Sequence, residues 1–205
     1  SRGDHTGPAS ARAILADTNV EAAVLETARG GILRRGLGYD WSDVAVITNV
    51  TRDHIGQDGI ETLDDLLWIK SLVAERVRDG GTLVLNADDE ASASLAQREG
   101  VDTARLGLVY VALEPGNDVL LAHLARGGRG YFQRDGWLIE SNGGHERRIS
   151  NVADVPATFD GAAAHQVINC LAAAASARAM GRSIDEVAAG LASFDAVAHN
   201  PGRAS

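Results

Sequence analysis

The sequence predicts an α/β domain: a mostly parallel sheet flanked by helices, carrying a small antiparallel β insertion. Two observations predict it. Through the first hundred residues, short apolar β-prone runs alternate with helix-patterned stretches, the arrangement of a parallel sheet covered on both faces. From about residue 106 to residue 150 that pattern gives way to short β-prone runs separated by turn signals.

The elements follow in order. Pro8, after Thr6 and Gly7, precedes an apolar run at 9–16 and reads as the first turn of a short helix. Residues 22–26 (AAVLE) read as a buried strand. After the Gly30 and Gly31 turn and a short amphipathic piece, residues 43–49 (DVAVITN) form a second β-branched run bounded by polar residues. Thr62 with Asp65 makes a capping-box start, and Leu63, Leu66, Leu67, Val73 and Val77 recur at helical spacing until Asp79, Gly80 and Gly81 stop the helix. Residues 82–86 (TLVLN) are a third strand and 87–99 a short helix. Within the insertion the β-prone runs are 108–113, 130–133, 137–140 and 147–149, with Asp135 and Gly136 as a hairpin turn. Helix returns at 163–180, and Ser183 with Glu186 caps another that runs to about 193. No internal repeat interrupts the chain, so residues 1–205 read as one domain with the insertion inside it.

Composition narrows the function. A formal net charge of −9 argues against broad attraction to nucleic acid or to anionic membranes. The most apolar stretch, 167–180, is mostly alanine, is interrupted by Asn169, Ser176 and Arg178, and falls short of a membrane span. Cys170 is the only cysteine, so no intrachain disulfide forms and a cytoplasmic setting is expected. The basic residues are eighteen arginines and one lysine; genome composition explains arginine-heavy usage, and it leaves Lys70 as a candidate position for a required primary amine.

In an open parallel sheet, ligands gather beyond the carboxyl ends of the strands. Glu26 closes the first strand and precedes the Gly30 and Gly31 turn; the second strand runs out through Asn49 and Thr51 to Asp53 and His54. A carboxylate and an imidazole at neighbouring strand ends suit a divalent cation. The plainer alternative, a turn-capping Glu26 and a surface-loop His54, stands at even odds with it. Lys70 falls on the core-facing stripe of its helix, where its stem either snorkels to solvent or stays partly buried with a lowered pKa. In the second case the neutral amine can capture carbon dioxide, and the resulting carbamate is a carboxylate on a long arm.

Other features carry less. His165 and Asn169 lie one turn apart near a helix start, which suits a ligand base but equally suits helix capping. Residues 127–130 (GGRG) read as a turn, and His123 and His145 as surface histidines without a metal-ligand partner. No Gly-x-Ser-x-Gly elbow and no Gly-x-x-x-x-Gly-Lys-Ser/Thr loop is present; a nucleotide-using domain of this kind is expected to have its phosphate loop upstream of Ser1.

Read together, GDHTGPASA (3–11), VLETARGGILRRGLGYD (24–40), ITNVTRDHIG (47–56), IKS (69–71), VLNADDE (84–90) and NPGR (200–203) resemble the central domain of the Mur ligase superfamily, and within it the cyanophycin synthetase branch. The resemblance implies a P-loop-type fold lacking its P-loop segment, with a hinge to a C-terminal domain at 200–203. It implies ATP and Mg²⁺ as cofactors and an ATP-dependent ligase that activates a carboxylate as an acyl phosphate and joins it to an amine. By carry-over Glu26 and His54 hold Mg²⁺, Lys70 is the carbamylated lysine of that site, Asn169 approaches the adenine and Arg203 the phosphates. The implied partners are an amino acid, arginine by this branch, and a polymer or peptide carboxylate such as the aspartate side chains of cyanophycin; a homo-oligomer is compatible with the reading. Gln166 departs from the asparagine seen in many Mur-type ligases. Without the loop and the C-terminal domain this polypeptide alone is expected not to turn over. A peptidoglycan-precursor or folyl-polyglutamate type ligase, or a catalytically silent binding domain, are the alternatives.

Overall fold

A computed structural model describes residues 7–50, 56 and 60–194. Its centre is one six-stranded sheet in the order β1 (Ser42–Ile47), β2 (Val77–Asn86), β3 (Gly107–Ala112), β4 (Arg129–Arg134), β5 (Trp137–Asn142), β6 (His145–Asn151). The first four strands are parallel and the last three pair antiparallel. The antiparallel part is therefore narrower than 106–150 and continuous with the sheet. The run predicted at 108–113 belongs to the parallel part as β3.

Among the described residues seven α-helices flank the sheet: α1 (Pro8–Leu15), α2 (Arg29–Arg35), α3 (Leu63–Glu75), α4 (Glu90–Ser94), α5 (Asp118–Ala125), α6 (Ala164–Ala179) and α7 (Ile184–Ala192). Strand residues alternate between two cores. Ala45, Ile47, Leu83, Leu85, Tyr110 and Phe132 face α2 to α5, whereas Val84, Val109, Val111, Tyr131 and Leu138 face α6 and α7. Both capping boxes form as predicted, with Thr62 and Asp65 opening α3 and Ser183 and Glu186 opening α7. The Asp135 and Gly136 turn forms too, both residues having positive φ. α5 was not anticipated, because its eight residues are too short and too apolar for period to separate helix from strand; Asn117 caps it by accepting from the Leu120 N–H at 3.1 Å.

Two further expectations about the elements are corrected. Helix α3 ends at Glu75, and Val77 starts β2 opposite Ser42. The Arg105 guanidinium ends the helix by donating to the carbonyls of Glu75 (3.2 Å) and Val77 (2.6 Å). The strand predicted at 22–26 does not form: the segment lies in no ladder, and Val24 is fully exposed. A short apolar run becomes a strand only where a partner takes its backbone groups, and among the described residues β1 pairs with β2 alone, at the edge of the sheet.

A buried polar contact fastens α6 to the antiparallel strands. Glu140, 3% exposed, accepts from the Tyr131 hydroxyl at 2.7 Å and from Arg178 Nε at 3.2 Å. Pairing offsets the cost of burying that charge. Burial, and then the bond to Glu140, push the Tyr131 phenol well above its ordinary pKa.

Candidate functional site

The carboxyl ends of the parallel strands are held by the residues that follow β2. Asn86 Nδ2 donates to the Thr48 carbonyl at 2.8 Å, and the Ser92 hydroxyl donates to the Ile47 carbonyl at 2.9 Å while accepting from the Asn86 N–H at 3.2 Å. Asp88 accepts from the Leu113 N–H at 2.6 Å and from Asn117 Nδ2 at 3.0 Å. Asp89 is the N-cap of α4, accepting from Ser92 N–H at 2.6 Å, and its second oxygen accepts from Val50 N–H at 3.1 Å. The ends of β1, β2 and β3 are thereby tied into one framework by side chains from a single turn.

Lys70 faces this framework from α3. It is half-buried beside the buried Ile69 and Ser71. Burial lowers its pKa, and the Asp89 carboxylate opposes part of that effect. The partly desolvated alternative for Lys70 is the one observed. Asn86, Asp88, Asp89 and Ser92 were not singled out as a framework from sequence. The available signal was four polar residues packed behind an apolar strand, two of them carboxylates, with an Asp-x-x-Ser capping pattern.

The other predicted residues are placed apart or not described. Glu26 is exposed, in the unpaired segment before α2, and no hydrogen bond or ion pair joins it to Lys70 among the described residues. Thr27 lies against Tyr39, whose phenol is pushed up by burial. Gly38, at φ 82°, meets Pro8 so closely that a Cβ there would sit 2.7 Å from the Pro8 backbone, which fixes the segment leaving α2 against α1. His54, Asp53, Arg203 and the hinge at 200–203 lie outside the described residues. Among the described residues no group of three His, Cys, Asp or Glu side chains is arranged to hold a metal.

On the other face of the sheet Asn169 is exposed on α6, and its Nδ2 donates to Gln166 Oε1 at 3.1 Å. Cys170 is buried, which raises its thiol pKa. His145 is exposed as expected, but His123 is not a surface histidine. It is buried, 3.1 Å from the Leu108 carbonyl and edge-on to Tyr110, and desolvation lowers its pKa. It braces α5 against β3. Two open clefts, about 510 and 530 Å³, are lined by Trp68, Arg98 and Gly100 and by Gln97, Arg126 and Gly128; neither includes Lys70 or Asn169. Among the described residues no helix is long and apolar enough to cross a membrane.

Comparison with known proteins adds the following. The Mur ligase middle domain model matches residues 1–177. A cyanophycin synthetase from Trichormus variabilis is 41% identical over 202 residues, 98% of this chain and 22% of its own length, and one from Crocosphaera subtropica is 38% identical over 98% and 23%. A UDP-N-acetylmuramate-L-alanine ligase from Mycolicibacterium gilvum is 31% identical over 76% of this chain and 30% of its own. The solved UDP-N-acetylmuramate:L-alanyl-gamma-D-glutamyl-meso-diaminopimelate ligase from Neisseria meningitides aligns with 75% of this chain and 40% of its own at 16% identity and a TM-score of 0.49. This chain thus spans less than a quarter of the cyanophycin synthetases it matches.

Proposed function

Since the chain belongs to the Mur ligase middle-domain family, we propose that it is the nucleotide- and metal-binding part of an ATP-dependent ligase that adds arginine to the aspartate side-chain carboxylates of cyanophycin. The observation that carries this reading is Lys70, the only lysine of the chain, half-buried with a lowered pKa beside the framework that ties the strand ends. Desolvated titratable groups cluster at functional sites, which supports the reading.

The chemistry has two steps. A substrate carboxylate oxygen takes the γ-phosphoryl group of ATP and releases ADP, forming an acyl phosphate. The incoming amine then attacks the acyl carbon, and the tetrahedral intermediate expels phosphate to leave the amide, with the ammonium protons passing to solvent or base. Mg²⁺ would be held by the Glu26 carboxylate, the His54 imidazole and the carboxylate oxygen of a carbamylated Lys70, two oxygen donors and one nitrogen. Mg²⁺, when bound, supplies charge neutralisation on the transferring phosphoryl group. Asp89 opposes the desolvation of Lys70 and orders the α4 start beside it. Asn169 would meet the adenine, and Arg203 the phosphates.

Phosphate release from ATP by the full-length protein, with each amino acid in turn and with or without an aspartate-rich primer, tests the reading. Release that requires both arginine and primer is expected; release with another amino acid and a nucleotide- or pterin-linked acid would move the assignment within the superfamily. Lys70→Ala should abolish release, and an added small carboxylate should restore part of it. Full activity of that variant would remove Lys70 from the site.

A further inference from the structure

At the amino ends of the parallel strands, opposite the framework around Asp88 and Asp89, the open cleft of about 530 Å³ lies between the short 3-10 turn Leu95–Gln97 and the end of α5. Its floor is apolar, formed by Leu106 and Leu108 around the start of β3, and its polar side chains are Gln97, Thr103, His123 and Arg126. No carboxylate lines it, although the chain carries 28 acidic residues against 19 basic ones. On so acidic a molecule, a cleft that gathers one cation and neutral polar groups over an apolar floor is built to receive negative charge.

Arg126 is the C-cap residue of α5 and is exposed. Its guanidinium makes no hydrogen bond or ion pair among the described residues, whereas Arg98, Arg105, Arg134, Arg178 and Arg182 each pair with a carboxylate. A cation at a helix carboxyl end complements the helix dipole, which accounts for the charge but not for its surroundings. Beside it the Gln97 amide is anchored on the Tyr110 hydroxyl, and the buried His123 ring is held 3.1 Å from the Leu108 carbonyl. Gly128 makes room for that ring, since a Cβ there would overlap Nε2. The wall is thus preformed, and the donors left unused in it are those of Arg126.

The two elements that line the cleft are fastened to the framework at their other ends. β3 runs from Leu108 in the cleft to just before Leu113, whose N–H donates to Asp88 at 2.6 Å. α5 runs from its cap Asn117, whose Nδ2 donates at 3.0 Å to Asp88 and to the Ala87 carbonyl, down to His123 and Arg126. A strand and a helix sharing one fastener give a physical link between the two ends of the sheet.

We propose that this cleft is a binding site for a small organic monocarboxylate, gripped by Arg126 beside Gln97 and Thr103 with its apolar body on Leu106 and Leu108, and that its occupancy stiffens the Asp88 framework through β3 and α5. One guanidinium among neutral groups balances one negative charge, and its fork matches a carboxylate. The apolar floor suits a hydrocarbon body and penalises a bare, multiply charged phosphate. The site uses no ATP chemistry, so it stands independently of the ligase reading.

The test is amide hydrogen exchange, read peptide by peptide by mass spectrometry in the full-length protein, with benzoate as the probe and inorganic phosphate and benzyl alcohol in parallel. Benzoate should slow exchange in the peptide 120–128 with a saturating dependence, its midpoint on the order of millimolar for a ligand of that size. Exchange in 113–118 should slow with the same midpoint. Arg126→Ala should raise that midpoint about tenfold, and Arg126→Lys, which keeps the charge but loses the fork, should fall between the two. No protection by benzoate, equal protection by benzyl alcohol or by phosphate, or an unchanged midpoint in Arg126→Ala would overturn the carboxylate site. Protection confined to 120–128 would overturn the link to the framework.

Discussion

Residues 22–28 (AAVLETA) and 82–89 (TLVLNADD) are built alike, a short apolar run followed by acidic or hydroxyl side chains, yet they end in opposite states. The second is β2 and its turn, paired with β1 on one side and β3 on the other, its carboxylates accepting the backbone N–H groups of Val50, Ser92 and Leu113. The first has no ladder, and Val24 and Glu26 face solvent. A β-prone run is a strand only by virtue of its neighbours, and an acidic residue behind it becomes a fixed geometry only when orphan N–H groups bind it. By the same reasoning, Asp88 and Asp89 serve as fasteners of the strand ends, whereas Lys70 owes its lowered pKa to burial, which Asp89 partly opposes.

Three measurements would break or sharpen that contrast. Asp89→Ala leaves the Val50 and Ser92 N–H groups without their acceptor and removes a helix cap, so a loss of about 3 kcal/mol is expected from urea unfolding. A loss below about 1 kcal/mol would make the strand ends no better fastened than the 22–28 segment. Lys70→Met comes next. The folded pKa of Lys70 is lowered, so between that value and the unfolded value of about 10.4 the unfolded chain binds more protons and stability rises with pH. Below that window the burial penalty is present in full. Lys70→Met should therefore stabilise by up to about 1 kcal/mol at neutral pH, with the gain vanishing toward about pH 10. A loss at neutral pH that fades as pH rises past about 10 would show instead that the attraction to Asp89 outweighs burial. The smallest effect belongs to Val24→Ala, expected within about 0.5 kcal/mol of wild type because the side chain buries nothing. A cost above about 1 kcal/mol would show that the segment packs in solution.

Much of the fold was legible because its signals are local. The Thr62 and Ser183 capping boxes, the helix around Asn169, the Asp135 and Gly136 turn and the apolar runs of β1 and β2 each depend on residues within a few positions of one another. The site was legible in part. Lys70 stood out as a lone lysine on an apolar stripe, and its lowered pKa agrees with that placement. Glu26 was read on a strand that does not form, and the burial of His123 went unseen because nothing near it in sequence announces the Leu108 carbonyl fifteen residues away.

By itself the sequence determined the alternation of strands and helices, the caps that bound them, and the one position where an amine replaces arginine, because periodicity, capping and residue identity are properties of neighbouring residues. Only the tertiary structure decided that 22–26 stays unpaired, that Asp88 and Asp89 accept from backbone N–H groups of distant residues, and that Phe159 stands exposed with positive φ before α6. Each of those outcomes depends on backbone groups brought together from distant parts of the chain, and burial and hydrogen-bond satisfaction exist only once those parts have met.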